Sequence, residues 1–488
     1  MLKFACYPEG GEGQLPDLRG AYAVGIDGVP MRGDLHVNGC TITCESRNQE
    51  ALAISVLWPV EGHGRLQLQT TRLPTREQSY NLHVELVRER LMRILTKREE
   101  WGLFDYPGVE AVSAMIDRAR ELFIESLQKC EDPPAAARLA DRALSLGLDA
   151  SEELCRFHAS VFVGRRRQAG GFARGFLGVS LPPGTPPKAL VKGFSDVFDF
   201  VQIPLVWRDI QQDERNSDYS AVDTWVKAGA KAGLTVRGGP VLNFGVQSVP
   251  DWMYVRENEY EAIAAFAREH VRRTVQRYAG QIGTWVVASG LHADNVFSFS
   301  FEHIIDLTRM AANVTKQAAP RSQVVLDLTQ PWGEYFARNQ RTAPPMLYAE
   351  MVSQSGINFD ALGVQLVFGL DSEGFHLRDM LQISGLIDRL ANLGKPLHVT
   401  AVAVPSDGSA AGVTDEAWSE ERQADWFANF CEVALSKPYV ESVCLQTLTD
   451  GVCTGVPTGG VLRADLRPKR AFKRLAKVRQ NLLSGKGE

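Results

Sequence analysis

Three carboxylates and one tryptophan in the second half of the chain have the side chains best suited to acid–base chemistry and to holding a ligand. Asp327 lies in an apolar segment, and Asp371 and Glu373 follow another such segment. A pair of carboxyl groups drawn from these three can serve as general acid and general base. Loop carboxylates also commonly cap helices or turns, so a structural role is the competing interpretation. Trp332 offers a flat apolar face to a ring-shaped ligand, and burial between packed elements is the alternative for it.

Other polar side chains follow apolar segments in the same way, and they complete the set of candidates. They are His292, Asp294, Asn295, Glu334, Ser406 and Asp407. The nine histidines and eight cysteines are scattered and do not have metal-ligand spacing. No Gly-x-Ser-x-Gly nucleophile elbow occurs. The sequence therefore predicts no metal site and no cofactor, and its thiols are expected to be reduced.

The elements that must position these residues alternate between short apolar strands and amphipathic helices. Eight strand segments are predicted, at 176–180, 200–207, 235–242, 283–288, 323–328, 361–367, 397–404 and 440–447. Helical spacing separates them, for example over 258–278 and 377–393, where Gly394 is suited to end the helix. This alternation predicts a (β/α)₈ barrel over residues 175–488, in which loops after the strands carry function. A doubly wound open sheet, the competing fold, normally has a glycine-rich phosphate turn, which is not found here.

Two further regions precede the predicted barrel. Residues 1–74 contain short alternating strands with glycine turns, and Asn38-Gly39 between two of them is a hairpin signal. A small β-sandwich or open barrel is expected there. Residues 75–170 have helical periodicity and form a predicted helical connector of four helices, with Leu146-Gly147 as one of its breaks.

Composition and charge limit the partners and the compartment. The 488 residues carry a formal net charge of -5, which gives no electrostatic reason to expect nucleic acid or a membrane surface as a partner. Pro8 follows the start too soon for a signal peptide, and no stretch approaches the ~20 apolar residues of a membrane span. A cytoplasmic, multidomain protein is the expectation.

Six segments of the predicted barrel resemble glycoside hydrolase family 10, the xylanase family, in the family's own order. The similar segments are Val236-Arg237-Gly238 with Val249-Pro250-Asp251-Trp252, Ile282–Val287, Gly363-Val364-Gln365, Gly394–Thr400, Leu448–Gly451 and Leu466–Ala471. The resemblance implies the barrel fold, an O-glycosyl hydrolase of the endo-1,4-beta-xylanase type, and a polysaccharide or oligosaccharide as partner. It covers about residues 175–475.

The departures from the family lie at the positions that carry its chemistry. Retaining glycosidases use one carboxyl group as acid and a second, ~5 Å away, as nucleophile. The resemblance places these groups at Gly290 and Ala401, which are expected to face each other at the carboxyl-terminal mouth. Four further family positions of the sugar subsite hold small, apolar or amide side chains. These are Val206, Gly239, Val367 and Gln446.

Three functions remain open at this point. The first is an inactive family-10-like barrel that binds a carbohydrate or a protein partner, with Asp327, Trp332, Gln365, Asp371 and Glu373 as candidate binding residues. The second is an active hydrolase whose carboxylates occupy new places. The third is a structural scaffold. Loss of both catalytic carboxyl groups favours the first over the second, because such groups act as a unit.

Overall fold

The computed structural model describes residues 1–7, 18–46, 50–172, 175–182, 184–185, 187–190, 193–408, 418–452 and 455–484. Its amino-terminal region contains two four-stranded sheets, with strand orders β4-β5-β1-β8 and β3-β2-β6-β7. The strands are β1 Leu2–Ala5, β2 Tyr22–Val24, β3 Pro30–Met31, β4 Asp34–Asn38, β5 Thr41–Glu45, β6 Ala53–Val60, β7 Gly64–Gln69 and β8 Tyr80–Asn81. The predicted hairpin is confirmed, because β4 and β5 pair antiparallel around Asn38-Gly39.

Three long helices follow, not the four that the sequence predicted. They are α1 Leu82–Glu100, α2 Glu110–Gln128 and α3 Pro133–Gln168. The expected break at Leu146-Gly147 is wrong, because α3 runs through it without interruption. A Cβ added at Gly147 would lie 3.2 Å from Cγ of Arg90. The glycine therefore makes room for a side chain of α1, and the helix tolerates its lower helical propensity.

Eight parallel strands close into a barrel, which confirms the predicted fold. The strands are β9 Leu177–Ser180, β10 Phe200–Ile203, β11 Thr235–Gly238, β12 Thr284–Ser289, β13 Gln323–Leu328, β14 Ala361–Val367, β15 Leu397–Ala403 and β16 Val440–Leu445. The strands are buried on both faces, as expected for parallel strands covered by helices. Because all eight run in one direction, their carboxyl ends meet at one mouth.

Helices connect and cover the barrel strands. They are α4 Phe194–Val197, α5 Trp207–Ile210, α6 Ser220–Lys231, α7 Tyr260–Tyr278, α8 Phe301–Ala318, α9 Glu334–Arg338, α10 Pro345–Gln354, α11 Met380–Ala391, α12 Glu420–Ser436 and α13 Arg470–Ser484. Short 3₁₀ helices span Ile26–Gly28, Pro187–Ala189 and Asp251–Arg256. Within the described part of the chain, no helix is long and apolar enough to cross a bilayer.

The amino-terminal region packs against the side of the barrel that contains α11. Arg90 of α1 forms a bidentate ion pair with Asp379, with Nη1–Oδ1 and Nη2–Oδ2 distances of 3.0 and 2.6 Å. Both side chains are almost fully buried, at 1% and 2% exposure. Asp379 also caps α11, since its Oδ1 accepts hydrogen bonds from the backbone N–H groups of Leu381 and Gln382. The Asp379 carboxylate thus caps the start of α11 in the barrel and also forms the ion pair that anchors α1 of the amino-terminal region.

We expect Arg90→Ala to destabilise the protein strongly, because it leaves the Asp379 carboxylate buried without its counter-ion. Breaking a buried pair in this way costs about 3–5 kcal/mol. Arg93→Ala is the matched control on the same helix, since Arg93 pairs with Glu89 in a more exposed i,i+4 contact worth about 0.5 kcal/mol. Urea unfolding of the full chain measures both changes. Equal, small effects would contradict the role given to the Arg90–Asp379 pair.

Candidate functional site

A cavity of about 440 Å³ lies at the carboxyl-terminal mouth of the barrel. Five carboxamide side chains line it, together with two aromatic rings, Trp332 and Phe375. The carboxamides are Asn243, Gln247, Gln330, Gln365 and Gln446. Several of them follow the end of a barrel strand, which is where a (β/α)₈ barrel presents its binding groups. Among the described residues, no lysine, arginine or histidine lines this cavity.

Asp294 is the one carboxylate among the described residues that line the cavity. Burial raises the pKa of its carboxyl group above the ordinary value. A single carboxylate cannot supply the acid and the nucleophile of a retaining glycosidase, or the acid and base of an inverting one. The described part of the mouth therefore offers hydrogen bonds and apolar surface, and no carboxylate pair.

Asp327 lies inside the barrel wall at β13 and is 1% exposed. Its Oδ2 accepts hydrogen bonds from Ser289 Oγ and Gln365 Nε2, both at 2.6 Å, and its Oδ1 accepts one from Thr400 Oγ1. Burial raises the pKa of Asp327 to about 6, and the three hydrogen bonds partly oppose that rise. The three donors are neutral side chains, so Asp327 has no ionic partner among them. Their hydrogen bonds connect β13 to β12, β14 and β15.

Gln365, a candidate binding residue, contributes to both places. Its amide nitrogen donates to Asp327 and, at 3.1 Å, to Ser289 Oγ. The side chain is only partly buried and also lines the mouth cavity. Gln365 therefore links the buried hydrogen-bond network to the floor of the cavity.

The other two candidate carboxylates are engaged outside the cavity. Asp371 pairs with Arg19 of the amino-terminal region at 2.7 Å, and Glu373 accepts a hydrogen bond from Arg338 Nε at 2.8 Å. Neither lines the mouth cavity. The structure does not bring either of them to Asp327 as a catalytic pair, and their side chains act as ion-pair partners of arginines.

Trp332 stands at the edge of the mouth. One part of it lines the mouth cavity, and another part lines a second crevice of about 340 Å³ beside Val29 and Pro30 of the amino-terminal region. The guanidinium carbon of Arg378 lies 4.7 Å from its ring centroid. The ring is half-buried, so both sequence interpretations apply: it packs between elements and it exposes a surface to the cavity.

The remaining rim candidates have structural partners. His292 is fully buried, and burial lowers its pKa to about 3. Glu334 pairs with Arg378 at 2.5 Å, and Ser406 accepts a hydrogen bond from Lys469 Nζ at 2.7 Å. No group of three or more His, Cys, Asp and Glu side chains in the described ranges is arranged to hold a metal ion.

The two positions at which the resemblance predicts the catalytic glutamates have surroundings that disfavour a glutamate. Gly290 has a φ of 69°, a left-handed conformation that favours glycine, and a Cβ there would lie 3.1 Å from Thr329 Oγ1. Ala401 is 8% exposed and belongs to an apolar cluster with Val367, Ala403 and Val456. Both residues were expected to face each other at the carboxyl-terminal mouth, whereas Ala401 is packed within this cluster.

Gly239, one of the four further positions that the resemblance assigns to the sugar subsite, also has surroundings that leave no room for a side chain. Its φ is 123°, and a Cβ would lie 2.3 Å from the carbonyl oxygen of Val286. The backbone of the neighbouring strand therefore occupies the space of a side chain. Val206, Val367 and Gln446, at the other three substituted positions, line the cavity.

Four of the five carboxamides of the mouth, all except the predicted Gln365, are functional candidates that sequence reasoning missed. The Oε1 atom of Gln446 is buried and has no hydrogen-bond partner among the described residues. The sequence indicated Gln446 only as one of the four further positions that the resemblance assigns to the sugar subsite. The signal that would have found it is its place directly after β16 (Val440–Leu445), shared by other Asn and Gln residues after strands.

We expect the stability of the wild-type protein to rise relative to Asp327→Asn as pH falls from 7 to 4. The folded state takes up a proton near pH 6, whereas the unfolded chain does so only near 3.8, so protonation favours folding in that window. The two pKa values correspond to a change of up to ~3 kcal/mol. Urea unfolding at several pH values measures it, with Asp306→Asn on the surface of α8 as control. A difference that does not vary with pH would contradict the buried, unpaired state of Asp327.

A family profile and several solved structures are similar to this chain. The profile described as Glycosyl hydrolase family 10 matches residues 204–476, which is more than half of the chain. A search of curated proteins finds no match. Solved structures with a similar fold include native xylanase 10B from Thermotoga maritima, with 16% identity, a TM-score of 0.49 and coverage of 64% of this chain and 97% of that one.

A second similar structure is GH10 from Paenibacillus barcinonensis, with 20% identity, a TM-score of 0.48 and coverage of 64% of this chain and 96% of that one. At such identities and scores the structural likenesses add no argument, and the assignment rests on the profile match. That match includes β11 to β16 and the mouth residues that follow them. The chain therefore belongs to glycosyl hydrolase family 10.

Proposed function

We propose that this chain binds a neutral oligosaccharide in the cavity at the barrel mouth and does not hydrolyse it. The observation that carries the proposal is the lining of that cavity: five carboxamides, two aromatic rings and a single carboxylate. Carboxamides both donate and accept hydrogen bonds, which suits the hydroxyl groups of a sugar. Aromatic faces suit its C–H surfaces.

Charge supports a neutral ligand over an ionic one. Lysine, arginine and histidine are absent from the described lining, so an acidic ligand would meet no counter-ion there. Asp294 would repel a ligand carboxylate. Membership of family 10, whose relatives include proteins named xylanases, supports a xylan-type polysaccharide or its fragments as the ligand.

The absence of hydrolysis follows from the surroundings of the family positions. Gly290 and Ala401 carry no carboxyl group, and Asp371 and Glu373 form ion pairs away from the cavity. Asp327 is buried under three hydrogen bonds and belongs to the barrel wall. A relocated catalytic pair therefore finds no support among these candidates, and the scaffold alternative does not account for an amide-lined cavity.

We expect calorimetric titration to detect binding of xylohexaose to the wild-type protein. Gln446→Leu should weaken it about three- to tenfold, because it removes an amide that hydrogen-bonds a hydroxyl group. Gln281→Leu, an exposed glutamine ahead of β12 at the opposite end of the barrel, should leave affinity unchanged. An acidic oligogalacturonate should bind more weakly than xylohexaose. Absence of binding by any neutral oligosaccharide would contradict the proposal, and preference for the acidic ligand would contradict its electrostatic part.

We also expect the double variant Gly290→Glu, Ala401→Glu to lose stability and to release no reducing sugar from xylan. The first change forces a side chain onto a left-handed backbone, and the second places a carboxylate in an apolar cluster. A thermal unfolding curve and a reducing-sugar assay measure the two effects. Ala401→Val is the matched control for size without charge. Turnover by a stable double variant would show that the mouth accepts both glutamates and holds a substrate productively.

A further inference from the structure

The amino-terminal region reaches the barrel mouth through a chain of buried contacts at Arg378. This residue is 3% exposed and lies in the segment between β14 and α11. Its Nη2 atom donates to Glu334 at 2.5 Å and to the hydroxyl group of Tyr22 at 3.1 Å. Its guanidinium also lies over the ring of Trp332. One side chain thus contacts β2 of the amino-terminal sheet, the start of α9 and the aromatic wall of the mouth.

Ion pairs and hydrogen bonds join the same segment and the start of α11 to the amino-terminal region. Asp371 pairs with Arg19, and the carbonyl oxygen of Leu377 accepts a hydrogen bond from the backbone N–H of Gln67 at 3.0 Å. Gln382 Nε2 donates to the carbonyl oxygen of Gln67 at 2.9 Å. These bonds span residues 371–382, and the Arg90–Asp379 ion pair lies among them.

Close backbone packing adds to these polar contacts. Gly20 has a φ of 64°, and a Cβ there would lie 2.4 Å from Cε1 of His376. The loop before β2 therefore lies directly on the segment after β14. Between the ends of this segment, Gly374 and Phe375 line the mouth cavity. The wall of the cavity is built on the amino-terminal region.

We propose that the amino-terminal region is a structural part of the mouth. Arg378 is then the positioning residue through which the docked amino-terminal region holds Trp332 and the cavity wall at Phe375 in place. One consequence of this inference is that ligand affinity depends on the docked amino-terminal region. That consequence rests on the proposed function. The geometric part does not require a ligand. It gives the amino-terminal region a structural role at the barrel mouth.

Hydrogen–deuterium exchange on the full chain without ligand tests the geometric part. Arg378→Lys keeps a charge for Glu334 but loses the planar guanidinium that also reaches Tyr22 and Trp332. We expect amide exchange to rise several-fold in peptides that cover residues 328–336 and 368–377. Tyr22→Phe removes only one hydroxyl group and should raise exchange in the same peptides to a smaller extent.

Arg277→Lys is the matched control. Arg277 forms a triad of similar residue types with Asp223 and Tyr278, in which the Arg277 side chain is 45% exposed, and its guanidinium lies 5.0 Å from the ring centroid of Tyr219. This triad joins α6 and the end of α7, and none of its residues lines the mouth cavity. The control should leave exchange at the mouth unchanged. Unchanged exchange in both Arg378→Lys and Tyr22→Phe would overturn the proposal, and Tyr22→Phe alone decides it if Arg378→Lys does not fold.

A second arm adds xylohexaose and separates this inference from the proposed function. In the wild-type protein we expect the ligand to protect peptides that contain Tyr22 as well as those of the mouth, and Tyr22→Phe to weaken binding about threefold. If the wild type binds no oligosaccharide while the variants alter exchange as expected, the proposed function fails and the positioning role stands. If the ligand binds but neither variant alters exchange, the positioning role fails and the proposed function stands.

Discussion

Two buried ion pairs at neighbouring residues determine how the amino-terminal region and the barrel meet. Arg378 pairs with Glu334, and Asp379 pairs with Arg90, with every side chain at 4% exposure or less. Buried ions of this kind need their partners, because each unpaired charge would lose its hydration without compensation. The two charges alternate in sign along the chain. A shift of one residue would therefore set like charges against each other, and the register of the segment after β14 is strongly specified.

The residues that resemble family 10 most closely have structural roles in this chain. Arg237 stacks on Phe200 with 3.6 Å between its guanidinium carbon and the ring centroid, and it donates to Ser442 Oγ. Lys469 is 2% exposed and joins Asp450 to Ser406. These two residues of the family-like segments therefore make structural contacts within the barrel domain. At two positions where the resemblance predicts catalytic or sugar-orienting groups, Gly239 and Gly290 have positive φ values that favour glycine.

The described lining of the mouth is rich in carboxamides and holds a single carboxylate, Asp294. Carboxamides can both donate hydrogen bonds to hydroxyl groups and accept them. Asp327, which lies within β13, is enclosed by hydrogen-bond donors from β12, β14 and β15. Burial in the barrel wall raises the pKa of Asp327, so this raised pKa does not indicate a catalytic group.

Sequence patterns predicted the barrel strands closely, and β13 and β14 begin and end at the predicted residues. Each apolar run is a local signal that identifies a strand. The order of the family-like segments further supported the prediction that the strands close into a barrel. The break at Gly147 was wrong, because the reason for that glycine is Arg90, which lies 57 positions away along the chain. The Arg378–Tyr22 contact, across 356 positions, has no local signal at all. The amides of the mouth other than Gln365 were overlooked as binding residues because catalytic chemistry directs attention to carboxylates.

Saturation-transfer NMR of intact xylohexaose mixed with the full-length protein tests the central claim most directly. It reports contact with the protein and the integrity of the sugar in the same sample. The account predicts saturation transfer to sugar ring protons, together with anomeric signals that do not change over a day at pH 5 and at pH 7. New reducing-end anomeric signals that grow with time, and that are absent without protein, would show hydrolysis and contradict the account. Absence of transfer to any neutral oligosaccharide would contradict it as well.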